Sequence, residues 1–221
     1  MKKLVIVVMM LFSLMLCSCG KISLEKAFER LDRGFTMECE MEMTLSSRYI
    51  TTQTIELEML FEVSKEEVYT EVEMEGNVSR SYIKIKEDEV DVYSYDGDWE
   101  KETISMEEYE DEEDLSFLDI DFEDFVLEDN VWVGDTEILS EQMEDYFKEM
   151  VEESLGSGTV SYFNVSKYNI EMNGRNISKI DISVNFITYM SGIYVNVEID
   201  MPIEVSNIGK TKVTVPKGLP E

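Results

Sequence analysis

The side chains of this 221-residue chain that could do chemistry are overwhelmingly acids: 49 Asp and Glu stand against 19 Lys and Arg, for a formal charge of −30. The chain has no histidine, which excludes Ser-His-Asp and Cys-His catalysis and imidazole metal ligands. A nucleic-acid binder needs a basic surface, so that class is excluded as well. Because 49 acids produce many close pairs by chance, no single carboxylate pair indicates a catalytic site. The sequence also holds no Gly-rich phosphate loop, G-x-S-x-G or CxxC motif. We therefore predict a noncatalytic protein without a cofactor.

Two acidic stretches begin like the calcium loop of an EF-hand, which alternates its ligands and needs glycine at the sixth position. Lys101 occupies the glycine position in the first stretch, and Asp124 occupies it in the second, which begins at Asp119. The acids of the first stretch that match the ligand spacing are Asp96, Asp98, Glu100 and Glu107. Because both stretches lack the turn that the loop requires, we predict no metal site.

The first residues have the layout of an export signal. Lys2 and Lys3 precede an apolar run over residues 4–16, which is shorter than the roughly 20 residues that a membrane-spanning helix needs. The run ends in Leu16-Cys17-Ser18-Cys19, which resembles the lipobox of bacterial lipoproteins. We predict that residues 1–18 are a signal peptide and that Cys19 carries a diacylglycerol anchor on the extracytoplasmic face of the membrane. The alternative is an ordinary secretory signal with incidental cysteines.

The first part of the mature chain predicts a short helix followed by strands. From residue 35 to 45 and again from 55 to 63, apolar and polar residues alternate, which indicates strands with one apolar and one acidic face. Further strands follow up to residue 103, with a hairpin turn at Asp96–Gly97. The helix is indicated by apolar residues at helical spacing before Gly34, namely Leu24, Ala27, Phe28 and Leu31.

A composition change marks the middle of the chain. Residues 107–129 contain thirteen acids and neither Lys nor Arg, so we interpret residues 104–130 as an acidic connecting arm within a single domain that spans residues 19–221. A helix is predicted over residues 140–155 with Ser140 as its cap. Long alternating runs at residues 160–172, 177–188 and 193–205 predict three more antiparallel strands.

These elements favour an α+β protein. Long strands with one apolar face need a cover, and the predicted helices at the start and middle of the chain are the available cover. We therefore expect a strongly curved antiparallel sheet, a half barrel, with helices over its apolar concave face.

Two short motifs carry a family resemblance. Residues 93–101 form an aromatic strand, a Gly turn and a Trp-Glu-Lys run, and residues 206–210 form a Gly-Lys turn before a short run that ends at Pro216. With the lipobox and the order of elements, the chain resembles the LolA/LppX-like half-barrel lipoproteins. That resemblance implies a final strand at residues 213–216, and a noncatalytic protein that holds lipid or another apolar ligand between the sheet and its helices. It assigns no ligand contact to an individual residue.

The residues that could line such a cavity lie on the apolar face of the first strands and on the helix over residues 140–155. Methionine is flexible and polarizable, and it is frequent where a surface accepts ligands of varied shape; it also packs as an ordinary core residue. Both interpretations stay open. The candidates are Phe35, Met37, Met41, Met43, Met59, Met143, Phe147 and Met150.

Two functions follow from these alternatives. The first is a lipid-anchored extracytoplasmic binder or carrier of an apolar or lipid ligand. The second is an acidic cell-surface protein with a filled core, whose carboxylates contact a basic protein or the cell wall. Cys39, the one cysteine beyond Cys19, is expected to be a small buried core residue in either case.

Overall fold

The computed structural model describes residues 24–49, 51–112, 121–155, 159–190 and 192–220. It is mostly antiparallel sheet, with 61% strand and 15% helix. The α+β half barrel expected from the sequence is wrong, because the eleven strands form an open, uncurled sheet and the helices are few and short. The sheet instead buries apolar side chains on both of its faces, in different places.

The strands form two meanders that meet in the middle of the sheet. Their spatial order is β6-β5-β4-β3-β2-β1-β11-β10-β9-β8-β7, so β1 pairs with β11 and the edges are β6 and β7. The first meander contains β1 (Phe35–Ser46), β2 (Gln53–Val63), β3 (Glu67–Met74), β4 (Asn77–Ile85), β5 (Glu89–Tyr95) and β6 (Trp99–Ser105). The second contains β7 (Phe125–Glu128), β8 (Val131–Gly134), β9 (Thr159–Asn173), β10 (Asn176–Met190) and β11 (Ile193–Ser206).

Apolar and acidic residues alternate along β1, so one face of the sheet is apolar there and the other is acidic. The odd-numbered residues, among them Met37, Met41 and Met43, lie on what we call the methionine face, and Glu38, Glu40 and Glu42 lie on the opposite, acidic face. The pairings of β1 with β2 and β11 carry these faces across the sheet, since directly paired residues share a face.

In the described part of the chain, three helices accompany the sheet. They are α1 (residues 24–28), α2 (Met106–Glu112) and α3 (Thr136–Leu155), with 3-10 turns at Leu31–Arg33 and Phe122–Asp124. The segment expected to be a connecting arm therefore contains α2, a 3-10 turn and the edge strand β7, while residues 113–120 lie outside the described ranges. Within the described residues, no helix is both long and apolar enough to span a membrane.

The cap of α3 differs from the sequence prediction. Asp135 caps the helix, since its Oδ1 accepts the backbone N–H groups of Glu137 at 3.1 Å and Ile138 at 3.3 Å. Ser140 lies inside the helix, and its Oγ accepts the backbone N–H of Val165 on β9 at 2.8 Å. The serine that was predicted to begin the helix thus attaches the helix to the sheet.

The main core lies on the methionine face of the second meander. Side chains of α1 and α3 pack there on β9, β10 and β11, and the buried members include Leu24, Ala27, Leu139, Met143, Val165, Ile180 and Val197. A second, smaller cluster lies under the first meander on the acidic face, where Tyr69, Tyr82 and Tyr93 pack with Leu60 and Trp99.

The C-terminal segment covers this tyrosine cluster. Val213 and Leu219 pack against it, and the backbone N–H of Thr214 donates to Glu62 Oε2 at 2.6 Å. The strand expected at residues 213–216 does not form, because this segment contacts the sheet through side chains rather than through a strand pairing.

Candidate functional site

The predicted cavity residues divide into a core group and a surface group. Met143 is buried, and Phe35, Met37 and Met43 pack against the same main core. Phe147 and Met150 belong to α3, but their side chains lie outside what the structure describes. The core group therefore consists of packing residues.

The cavity candidates on α3 and those on β1 lie over different strands of the sheet. α3 contacts β9, and β10 and β11 separate β9 from β1 in the sheet. Met143 of α3 and Met37 and Met43 of β1 nevertheless contribute to one packed core.

Met41 and Met59 form the surface group. Each lies in a row of three apolar residues that are directly paired across β1, β2 and β3. Of the six residues in these two rows, Cys39 is buried and the other five are partly buried or exposed. They belong to neither of the two clusters of packed side chains. We call these two rows the methionine patch; its residues are Cys39, Met59 and Val72 in one row and Met41, Leu57 and Met74 in the other.

Cys39 is the buried corner of the patch. The residue is 5% exposed, and its burial, followed by the nearby charge of Glu40, raises the pKa of its thiol to about 11. A thiol with such a pKa is protonated at neutral pH and is a poor nucleophile. It packs as a small apolar residue.

The reverse side of the same strands is strongly acidic. Glu40 is paired directly with Glu58, and Glu58 with Glu73, so three carboxylates stand in one row. An open groove of about 240 Å³ runs over this face. Its lining combines Glu38, Glu40, Glu58, Glu71 and Glu73 with Cys39, Met59 and Leu60.

The tyrosine cluster is held by hydrogen bonds to acids. Tyr69 donates to Glu71 Oε2 at 2.6 Å, and Tyr82 donates to Glu67 Oε1 at 2.5 Å. Arg80 Nε also donates to Glu71 Oε2, at 2.6 Å. Burial and the Glu71 carboxylate raise the pKa of Tyr69 to about 12. These groups satisfy one another, so the cluster has a structural role.

A second polar cluster lies beside it, centred on a buried acid. Asp91 is 4% exposed and accepts hydrogen bonds or ion pairs from Lys86 at 2.9 Å, Thr103 at 2.8 Å and Lys101 at 3.4 Å. The hydrogen bond from Lys86 is the largest cause that lowers the pKa of Asp91 to about 2. Within the described residues, no group of three or more Cys, Asp or Glu side chains suits a metal ion.

A group of exposed tyrosines lies at the end of the acidic face and was not predicted from the sequence. Tyr49, Tyr162, Tyr189 and Tyr194 are 41% to 80% exposed. Their position could have revealed them. Tyr162, Tyr189 and Tyr194 lie at outward-facing positions of β9, β10 and β11, where polar residues are usual. Cys19 and the predicted signal peptide lie outside the described residues.

Comparisons with known proteins show no family for this chain. No family model matches it, and no curated protein matches it. Among solved structures, the ywiB protein from Bacillus subtilis aligns with 78% of this chain and 92% of its own, at 7% identity and a TM-score of 0.27.

Proposed function

We propose that this protein is a membrane-anchored extracytoplasmic lipoprotein that binds an apolar or lipid ligand without catalysis, and that the methionine patch is its binding surface. The observation that carries the proposal is that five of the six residues in two adjoining apolar rows, all but Cys39, are partly or fully exposed and belong to neither packed cluster. Contiguous exposed apolar surface on a soluble domain commonly marks an interaction site.

The chemistry of the patch suits ligands without fixed shape. Three of its six side chains are methionines, whose unbranched thioethers adapt to irregular apolar groups such as acyl chains. The ligand class is the one implied by the resemblance to the LolA/LppX-like lipoproteins. The open sheet favours a ligand held on the surface over one enclosed in a half barrel.

Binding can be tested with consecutive residues on opposite faces. Met59→Gln makes the patch polar with little change in volume, and Glu58→Gln alters the neighbouring residue on the acidic face. With the protein beginning at Gly20, we expect a fluorescent fatty acid to bind the wild type and Glu58→Gln equally, and Met59→Gln at least several-fold more weakly. Absence of saturable binding to the wild type, or equal binding by Met59→Gln, would reject the proposal.

A second candidate function is supported by the carboxylates of Glu40, Glu58 and Glu73, which are directly paired across neighbouring strands. Three glutamates stand side by side in this row, and such a concentration of negative charge attracts a basic partner. The same two variants separate the candidates. Weaker binding of a polylysine probe by Glu58→Gln but not by Met59→Gln would favour the acidic face.

Anchoring is tested independently of either ligand. Cys19→Ser removes the thiol that would carry the diacylglycerol, so the variant should incorporate no labelled palmitate and remain unprocessed by lipoprotein signal peptidase. Cys17→Ser is the matched control, and it should be labelled like the wild type. Persistent labelling of Cys19→Ser would place the anchor elsewhere.

A further inference from the structure

The far end of the acidic face carries an aromatic surface of its own. Tyr194 on β11 is paired directly with Tyr189 on β10, and their ring centroids lie 5.1 Å apart at an interplanar angle of 57°. Both residues are exposed, at 64% and 41%. Their rings therefore stand next to each other on the surface, where they bury little area against the rest of the protein.

Next to this pair lies a row of polar, aliphatic and aromatic side chains. Asn196 is opposite Ser46 on β1 and Ile187 on β10, and Ile187 is opposite Tyr162 on β9. The row crosses four neighbouring strands, a width of roughly 14 Å at the usual strand spacing. We call this row, together with Tyr49, Tyr189 and Tyr194, the tyrosine tip.

An open groove of about 570 Å³ runs over part of the tip. Its lining is Ser46, Ser47, Arg48, Tyr49, Ile187, Tyr194 and Asn196. In a chain with 49 acids, the described lining of this groove includes no carboxylate and one arginine. The tip thus differs in charge from the acidic rows farther along the same face.

We propose that the tyrosine tip binds a linear glycan of N-acetylated sugars. Sugar rings present C–H groups on their faces and hydroxyls at their edges, so exposed aromatic rings beside amide and hydroxyl groups match both. Ile187 offers an apolar contact for an acetamido methyl group, and Arg48 offers donors for its carbonyl oxygen. Asn196 Nδ2 donates one hydrogen to Glu198 Oε1 at 3.1 Å and keeps its second hydrogen for a ligand. A basic protein would be drawn to the carboxylate rows instead, and a nucleic acid would be repelled by the net charge.

The position of the tip fits a partner located away from the membrane. β1 begins directly after the segment that follows α1 and ends at Ser46 in the tip, and its 12 residues span roughly 40 Å. If Cys19 is the anchor, the tip lies at the end of β1 opposite the entry of the anchored segment. This orientation rests on the proposed anchoring, whereas the glycan chemistry of the tip does not.

The test uses the full-length protein in detergent micelles with a β-1,4-linked N-acetylglucosamine tetramer as the soluble probe and purified peptidoglycan as the polymer. We expect saturable binding of the tetramer and co-sedimentation with peptidoglycan. Tyr194→Ala should raise the dissociation constant about tenfold, as loss of an aromatic anchor does. Tyr194→Trp keeps a stacking ring and should stay within about threefold of the wild type.

Controls separate this proposal from the proposed function. Met74→Gln lies in the methionine patch, so it should weaken fatty-acid binding and leave glycan binding unchanged, while Tyr194→Ala should do the reverse. Unchanged melting temperatures would show that both variants fold. Failure of the tetramer and of peptidoglycan to bind, or equal binding by Tyr194→Ala, would overturn the glycan proposal. A tip that bound polylysine in a Tyr194-dependent manner would also overturn it, in favour of a protein partner.

Discussion

Glu40 and Glu58 stand directly opposite each other on β1 and β2, and neither has an ion-pair partner among the described residues. Glu58 is also opposite Glu73 on β3, so it lies between two carboxylates in the same row. Directly paired like charges repel across a sheet. The central glutamate of this row therefore lowers the stability of the fold that carries it.

Replacing this central acid should stabilise the protein. We expect Glu58→Gln to raise the free energy of unfolding by about 0.2–1 kcal/mol at low salt, because two repulsive pairs are removed. The gain should shrink at 1 M salt, where exposed charges are screened. Urea unfolding at both salt concentrations measures it. Glu102→Gln is the control, because Glu102 is paired with Val92; an equal gain there would contradict a pairwise origin.

The C-terminal segment should contribute to stability through its contact with the tyrosine cluster. Leu219→Ala removes a partly buried side chain from that contact, and we expect a loss of about 1–2 kcal/mol, below the cost at a fully buried site. Val215→Ala is the matched control, since Val215 is 55% exposed and should change little. Thermal unfolding of the two variants decides the matter. Equal melting temperatures for both would show that the segment does not hold the cluster in place.

The Asp91 cluster should make stability depend on pH in the acid range. The pKa of Asp91 in the folded protein is about 2, below its ordinary value, so its carboxylate stabilises the fold above pH 4. This contribution should be lost as the pH falls from about 4 to 2. Asp91→Asn should therefore cost about 1–3 kcal/mol at pH 7. The difference from the wild type should fade by pH 2.

Urea unfolding of both proteins at pH 7, 4 and 2.5 measures this dependence. Asp96→Asn is the control for loss of one negative charge, because Asp96 is exposed. A cost of Asp91→Asn that stayed constant down to pH 2.5 would contradict a role for the ionised carboxylate.

The open patch and the packed core should respond differently to added volume. Met41 lies in the partly exposed methionine patch, so Met41→Trp should leave the melting temperature nearly unchanged. Met143 is 6% exposed in the main core, so Met143→Trp should cost about 1–3 kcal/mol through overpacking. Thermal unfolding of the two variants gives the comparison. A similar loss in Met41→Trp would mean that the patch is covered.

Local features of the chain were predictable from local sequence. Alternation of apolar and acidic residues along β1 determines which side chains share a face, because successive residues of a strand point to opposite sides whatever its neighbours are. β9 and β10 likewise pair across a two-residue turn of Gly174 and Arg175, in which Gly174 adopts a φ of 66° that favours glycine. Such signals depend only on residues close together in the chain.

The cap of α3 shows where local signals become ambiguous. Asp135 and Ser140 are both good capping residues, and the spacing of apolar residues alone favoured Ser140. Packing decides between them, because the Ser140 hydroxyl is needed by the backbone N–H of Val165 on a different element. The identity of a cap thus depended on a contact between residues 25 positions apart.

Only the tertiary structure decided which apolar residues are core and which are surface. Met41 and Met43 look alike in sequence, yet Met43 packs in the main core and Met41 does not. The difference arises from their neighbours across the sheet, because Met43 is paired with Ile199 of β11, which packs in that core, whereas Met41 is paired with Leu57 of β2 in the methionine patch. The tyrosine tip likewise brings together residues from four separate strands and a turn, so no stretch of sequence contains it. Alternation is a property of one strand, whereas coverage of a face and assembly of a site are properties of the whole sheet.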